Sequence, residues 1–209
     1  MTMKRIAAVA VMAISSVVAV QAQMSGQMGG MGSGPAAAPA AAPASTVDPA
    51  KSFDASVSQI ERLWTGAAQA MPAEKYGFAP SAAIFVPGQT VKYDGVRTFA
   101  QIVTHTIQVN YGLFAAVGGI KPDVDTAAIA KLTSKDDILK ALADTFAFAH
   151  KAVANVTAAN AFEGVRGTQT RASIVATAVG HANDEYGQAV EYLRMNGIVP
   201  PASEGRRGM

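Results

Sequence analysis

His181 and Glu185 stand four positions apart in a C-terminal segment where Ile174, Ala178, Ala189 and Tyr192 continue the same stripe. A spacing of four puts both side chains on one helix face. An imidazole and a carboxylate therefore interrupt a stripe that otherwise faces a core. An unpaired buried carboxylate is costly, and a metal ion or a tight polar network removes that cost. His105 shares a second stripe with Phe99, Ile102, Val109 and Leu113. Two nitrogens and a carboxylate oxygen form a ligand set that zinc, nickel or ferrous iron accepts, with a position left for water. An ion held that way acidifies water or another coordinated nucleophile. The same residues also fit a plainer arrangement: core histidines hydrogen-bonded to backbone or hydroxyl groups, with Glu185 salt-bridged to His181.

Other candidates are weaker. His150, the third of three histidines, flanks an apolar stripe and reads as structural or exposed. Trp64 reads as core packing, and Asn110 and Tyr111 as helix surface. Gln188, near Glu185 on the same helix, is placed to orient that carboxylate. Ser134 and Ser173 lack any visible His–Asp partners, and the stretch from Gly164 to Gly167 is too short to cradle a phosphate. No catalytic residue beyond the three ligands is assigned.

Four amphipathic segments position these groups. The first, capped by Asp48 or Ser52, runs through Phe53, Val57, Ile60, Leu63, Trp64 and Ala67 until Pro72. A long irregular connection follows, punctuated by Pro80, Pro87, Gly88 and Gly95, with Ile84, Phe85 and Val86 a short extended piece. Such a connection is a lid or a packed crossover. The second helix starts near Arg97 and closes at Gly118 and Gly119. The third begins at Ser134, with Asp136 and Asp137 suiting its dipole, and carries Ile138, Leu142, Phe146, Ala149, Val153 and Val156. The fourth spans about 170–196, stopped by Gly197 and by Pro200 and Pro201. Long helical periods with almost no alternation predict an all-α, antiparallel four-helix bundle.

Flanking the bundle, residues 1–22 read as a secretory signal: Lys4 and Arg5 lead an apolar run ending in small residues, too short for a comfortable bilayer span. Residues 23–47 are Gly/Met-rich and then Ala/Pro-rich, unable to bury enough surface to order. Their methionines at 24, 28 and 31 read as compositional drift rather than copper capture. The domain is placed at 48–203, with a tail at 204–209 holding Arg206 and Arg207. The expected protein is secreted or periplasmic, with no stable membrane span once the signal is cleaved. There are 17 Lys+Arg against 15 Asp+Glu, equal once Lys4 and Arg5 are removed, so no nucleic-acid footprint is offered. With no cysteine, disulfides, thiolate ligands and a cysteine nucleophile are excluded.

The chain resembles the DinB-like (damage-inducible-protein type) superfamily of metal-dependent four-helix proteins. The resemblance rests on Trp64; on Met71, Pro72, Glu74, Tyr76, Phe78 and Pro80; on the approach from Arg97 to His105; and on the residues from His181 to Gln188 and from Tyr192 to Pro201. It implies an up-down-down-up bundle and a metal held by three histidines, one on the second helix and two on the fourth. His105 and His181 match two of those positions. Glu185 falls where the third histidine usually stands, so the site has either changed a ligand or lost its metal. Relatives with assigned activities include thiol-dependent transferases and isomerases. The expectation is an exported protein with a divalent-metal site at His105, His181 and Glu185, acting as a hydrolase or transferase on an unidentified small molecule. Its rival is a non-catalytic exported bundle that binds a ligand or partner after losing the metal. Homodimerisation through an apolar stripe is a further possibility.

Overall fold

The structure, a computed structural model, describes residues 46–81 and 88–204. The signal, most of the leader, the piece at Ile84, Phe85 and Val86, and the pair Arg206 and Arg207 lie outside the described residues. The long helices are α1 (Pro49–Ala70), α2 (Phe99–Gly118), α4 (Lys135–Val153) and α5 (Arg171–Met195); α3 (Thr126–Ile129) and α6 (Pro201–Glu204) are single turns. Strands β1 (Gly164–Arg166) and β2 (Gln169–Thr170) form a small antiparallel hairpin before α5. The stretch from Gly164 to Gly167 lies in this hairpin.

Local chemistry sets the boundaries. The Asp48 carboxylate accepts from the Ala50 amide to start α1, and Thr98 with Gln101 forms a reciprocal capping box on α2. Ser134 caps α4, and Thr170 with Ser173 closes a second box on α5. Ser134 and Ser173 are therefore spent on helix ends. Gly119 ends α2 in the left-handed region at φ 63°, where a side chain is disfavoured.

Direction follows from cross-helix contacts. Lys135 Nζ donates to the Gln69 and Met71 carbonyls near the end of α1, so α1 and α4 are antiparallel. Trp64 Nε1 donates to Ala182 O at 2.9 Å, and Gly66 lies against Pro201 beyond the end of α5, so α1 and α5 are parallel. Tyr192 donates to Arg97 O, while Arg166, just ahead of α5, reaches Gly112 O: α2 and α5 are antiparallel. Asn155 donates to Gly118 O, and Thr145 to Ile107 O, so α2 and α4 are parallel. The bundle is up-down-down-up, with α1 and α2 on one diagonal and α4 and α5 on the other. Where α2 and α4 end together their backbones nearly touch. A Cβ on Gly118 would stand 2.8 Å from Ala152 Cα.

The start of the α1–α2 connection is a packed crossover. Tyr76 is buried and donates to Ala68 O, and the carbonyls of Tyr76 and Phe78 accept from the amides of Ala100 and Phe99. Phe78 packs edge-on against Tyr192, with ring centroids 5.5 Å apart. Two sequence expectations need correction. Asn110 and Tyr111 are not helix surface, because α2 packs against both α4 and α5 and both residues are buried. For the same reason the core stripe of α2 runs through Val103, Ile107, Phe114 and Val117, leaving Val109 and Leu113 half-buried. Among the described residues no helix is long and apolar enough to cross a membrane.

Candidate metal centre

Antiparallel packing of α2 on α5 brings His105, from the second turn of α2, opposite the middle of α5. There the four-residue spacing stacks His181 and Glu185. The rings of His105 and His181 meet at 64°, with centroids 5.2 Å apart, and their Nε2 atoms lie 3.3 Å apart. Glu185 Oε1 lies 3.6 Å from His105 Nε2 and 3.8 Å from His181 Nε2. All three residues singled out in the sequence therefore meet at one point, with Glu185 buried and both histidines half-buried.

The spacing is informative. Oε1 is separated from both imidazoles and from the Arg97 guanidinium (3.8 Å) by more than a hydrogen bond allows. Oε2 has only a long contact, 3.4 Å, from Gln188 Nε2. A carboxylate 5 % exposed thus has no short hydrogen bond among the described residues. His181 Nδ1 is likewise buried without a partner there, so that ring's polar contacts run through Nε2. Metal–nitrogen and metal–oxygen bonds of about 2.0–2.1 Å at tetrahedral angles require ligand atoms roughly 3.4 Å apart. The observed edges of 3.3, 3.6 and 3.8 Å are close to that value. The residues present fit a divalent ion.

Electrostatics favour neutral imidazole at His105. Its pKa is lowered from the usual 6.5, first by burial and then by the Arg97 guanidinium; Glu185 opposes and His181 adds to the shift. Arg97 is the functional candidate that sequence reasoning passed over. It lies just before the cap of α2, with its carbonyl held by Tyr192, and its half-exposed side chain faces Glu185. Its sequence signals were its place at the start of the second helix and at the head of the stretch leading to His105 that carries the resemblance. Beside it a cleft of about 480 Å³ runs past Val96, Gln101, Thr104 and Gln108 to His105.

The remaining candidates are structural. His150 bridges Asp54 and Glu61 of α1 at 2.6 and 3.0 Å, away from the other two histidines. Trp64 is fully buried, its ring edge-on to Tyr186.

A comparison with curated proteins found no match. The family model described as the DinB superfamily matches residues 57–189, a span that includes His105, His181 and Glu185. With the bundle topology and this match together, the chain belongs to the DinB superfamily.

Proposed function

We propose that this is an exported, metal-dependent DinB-superfamily protein, in which His105, His181 and Glu185 hold a divalent ion and a hydrolase or transferase reaction runs on a small molecule in the adjoining cleft. The observation that carries the reading is the convergence of two Nε2 atoms, 3.3 Å apart, and a buried carboxylate oxygen that lies at ligand-like spacing from both without a short hydrogen bond to either. When bound, a divalent ion with an open position lowers the pKa of a coordinated water or thiol toward neutrality.

The protein's own groups have distinct parts. Glu185 supplies the one negative charge of the set, and Gln188 restrains its second oxygen. The depressed pKa of His105 keeps its lone pair available below the usual histidine range. Zinc, nickel and ferrous iron all suit a two-imidazole, one-carboxylate set. Export is proposed from the character of residues 1–22.

Elemental analysis of untagged protein after incubation with zinc, nickel or ferrous iron tests the reading. About one equivalent of metal is expected from one three-ligand site; none overturns it. The Arg97 contact supports a second reading, a ligand-binding bundle in which the guanidinium alone offsets Glu185. That reading expects a melting temperature indifferent to chelator.

A further inference from the structure

The charge balance around the triad points to what binds beside it. Among the described residues Glu185 is the only carboxylate within ion-pair distance of Arg97, His105 or His181. The Arg97 guanidinium and a divalent ion held by the triad would together exceed that single negative charge. The Arg97 guanidinium and both imidazole Nε2 atoms face the same Glu185 oxygen, so an ion held by the triad would add its charge to that of Arg97. Like charges in a partly desolvated setting repel unless an anion lies between them.

The cleft beside them supplies the space and no competing negative charge. Its lining includes Arg97, Gln101, Thr104, Gln108 and, of the triad, His105; among the described residues no acidic residue lines it. Gln101 and Gln108 are committed elsewhere, to the α2 cap and to the Thr126 carbonyl, and the Thr104 hydroxyl donates to Gln101 O. Among the described residues Arg97 is the cation lining this cleft. A volume of about 480 Å³ suits a small organic molecule, and a guanidinium fork matches the two oxygens of a carboxylate.

We infer that the substrate or ligand of this site is a small organic carboxylate, recognised by Arg97 at the mouth of the His105/His181/Glu185 triad. The inference rests on the metal-site reading above. Arg97 then acts as a binding residue that selects and orients the anion.

Cobalt(II) loaded into the full chain gives a visible spectrum that reports on ligands entering the site. Acetate and benzoate are titrated as carboxylates, and imidazole as a neutral ligand that samples the open position alone. Cobalt stoichiometry is measured first, for wild type, Arg97→Gln and Arg97→Lys. Saturable spectral changes with both carboxylates are expected, weakened about tenfold or more in Arg97→Gln, as loss of a charged hydrogen-bonding partner implies. A smaller loss is expected in Arg97→Lys, which keeps the charge and loses the fork. Imidazole affinity should be unchanged throughout. About one cobalt per chain with no carboxylate response, or equal weakening of acetate and imidazole, overturns the carboxylate assignment and leaves the metal reading standing. No cobalt uptake by wild type overturns both.

Discussion

The Nε2 atoms of His105 and His181 face each other 3.3 Å apart across the α2–α5 seam, although 76 positions separate the two residues in the chain. Two such nitrogens sharing an ion each become indispensable. Replacing either histidine by Ala should lower metal affinity by more than about a hundredfold, beyond the loss typical of an outer-sphere partner. Competition with a chromophoric chelator measures this. Glu185→His, which restores the three-histidine pattern of the resemblance, should retain metal. Equal affinity of wild type and His181→Ala excludes imidazole ligation.

Gln188 donates to the Glu185 oxygen that faces away from the histidines, at a long 3.4 Å. Gln188→Ala should weaken metal binding about tenfold, the lower end for a group that orients a ligand, with helix content preserved by circular dichroism. An unchanged affinity removes Gln188 from the site.

The lowered pKa of His105 sets an acid limit. Burial and the Arg97 guanidinium keep its imidazole neutral to lower pH than an ordinary histidine, so proton competition at this ligand should set in only at more acidic pH. In the metal-free protein a depressed histidine contributes stability that is complete above 6.5 and lost as pH falls through the folded-state value. Arg97→Gln removes one cause of the depression and should move metal release to higher pH. Identical release curves for wild type and Arg97→Gln, followed by equilibrium dialysis, count against this assignment.

His150 behaves in the opposite sense. Burial opposes its charge, yet hydrogen bonds and attraction from Glu61 and Asp54 prevail, and its pKa is raised above 6.5. The stabilisation is therefore complete below 6.5 and is lost as pH rises through the higher folded value. Denaturant melts of wild type and His150→Gln should differ by about 1 kcal/mol at pH 6, the upper range for partly exposed ion pairs. The difference should shrink at higher pH. A constant difference would indicate packing rather than charge.

Gly118 allows the parallel ends of α2 and α4 to touch. In Gly118→Ala the new methyl meets Ala152 Cα at 2.8 Å, a backbone atom that cannot rotate aside. Overpacking of this kind costs about 1–3 kcal/mol, against a helix-propensity gain of about 1 kcal/mol. A lower melting temperature is expected; a rise would mean that the two helices separate readily.

The helices and their caps were legible in the sequence because they depend on neighbours a few residues apart. Asp48, Ser134 and the segment around Thr170 each announce a helix start. The pairing of His181 with Glu185 was equally readable, being a matter of one helical turn. The role of Asn110 and Tyr111 was not. Their burial depends on α2 contacting α4 and α5 together, a tertiary fact that a single amphipathic stripe does not encode. Arg97 was missed for a related reason. It sits outside any periodic element, and its importance appears only once α5 brings Glu185 alongside.

The diagonal placement of α1 and α2 also bears on how the chain folds. Neither early helix offers the other a broad face, since each lies against α4 and α5. Apart from the crossover around Tyr76 and Phe78, the first half of the domain has no broad native docking face until the second half has been made, so most of its apolar stripes stay uncovered during synthesis. For an all-helical protein this shifts many native contacts to long sequence separation, which slows folding, and it makes a chain truncated before α5 a natural client for chaperones.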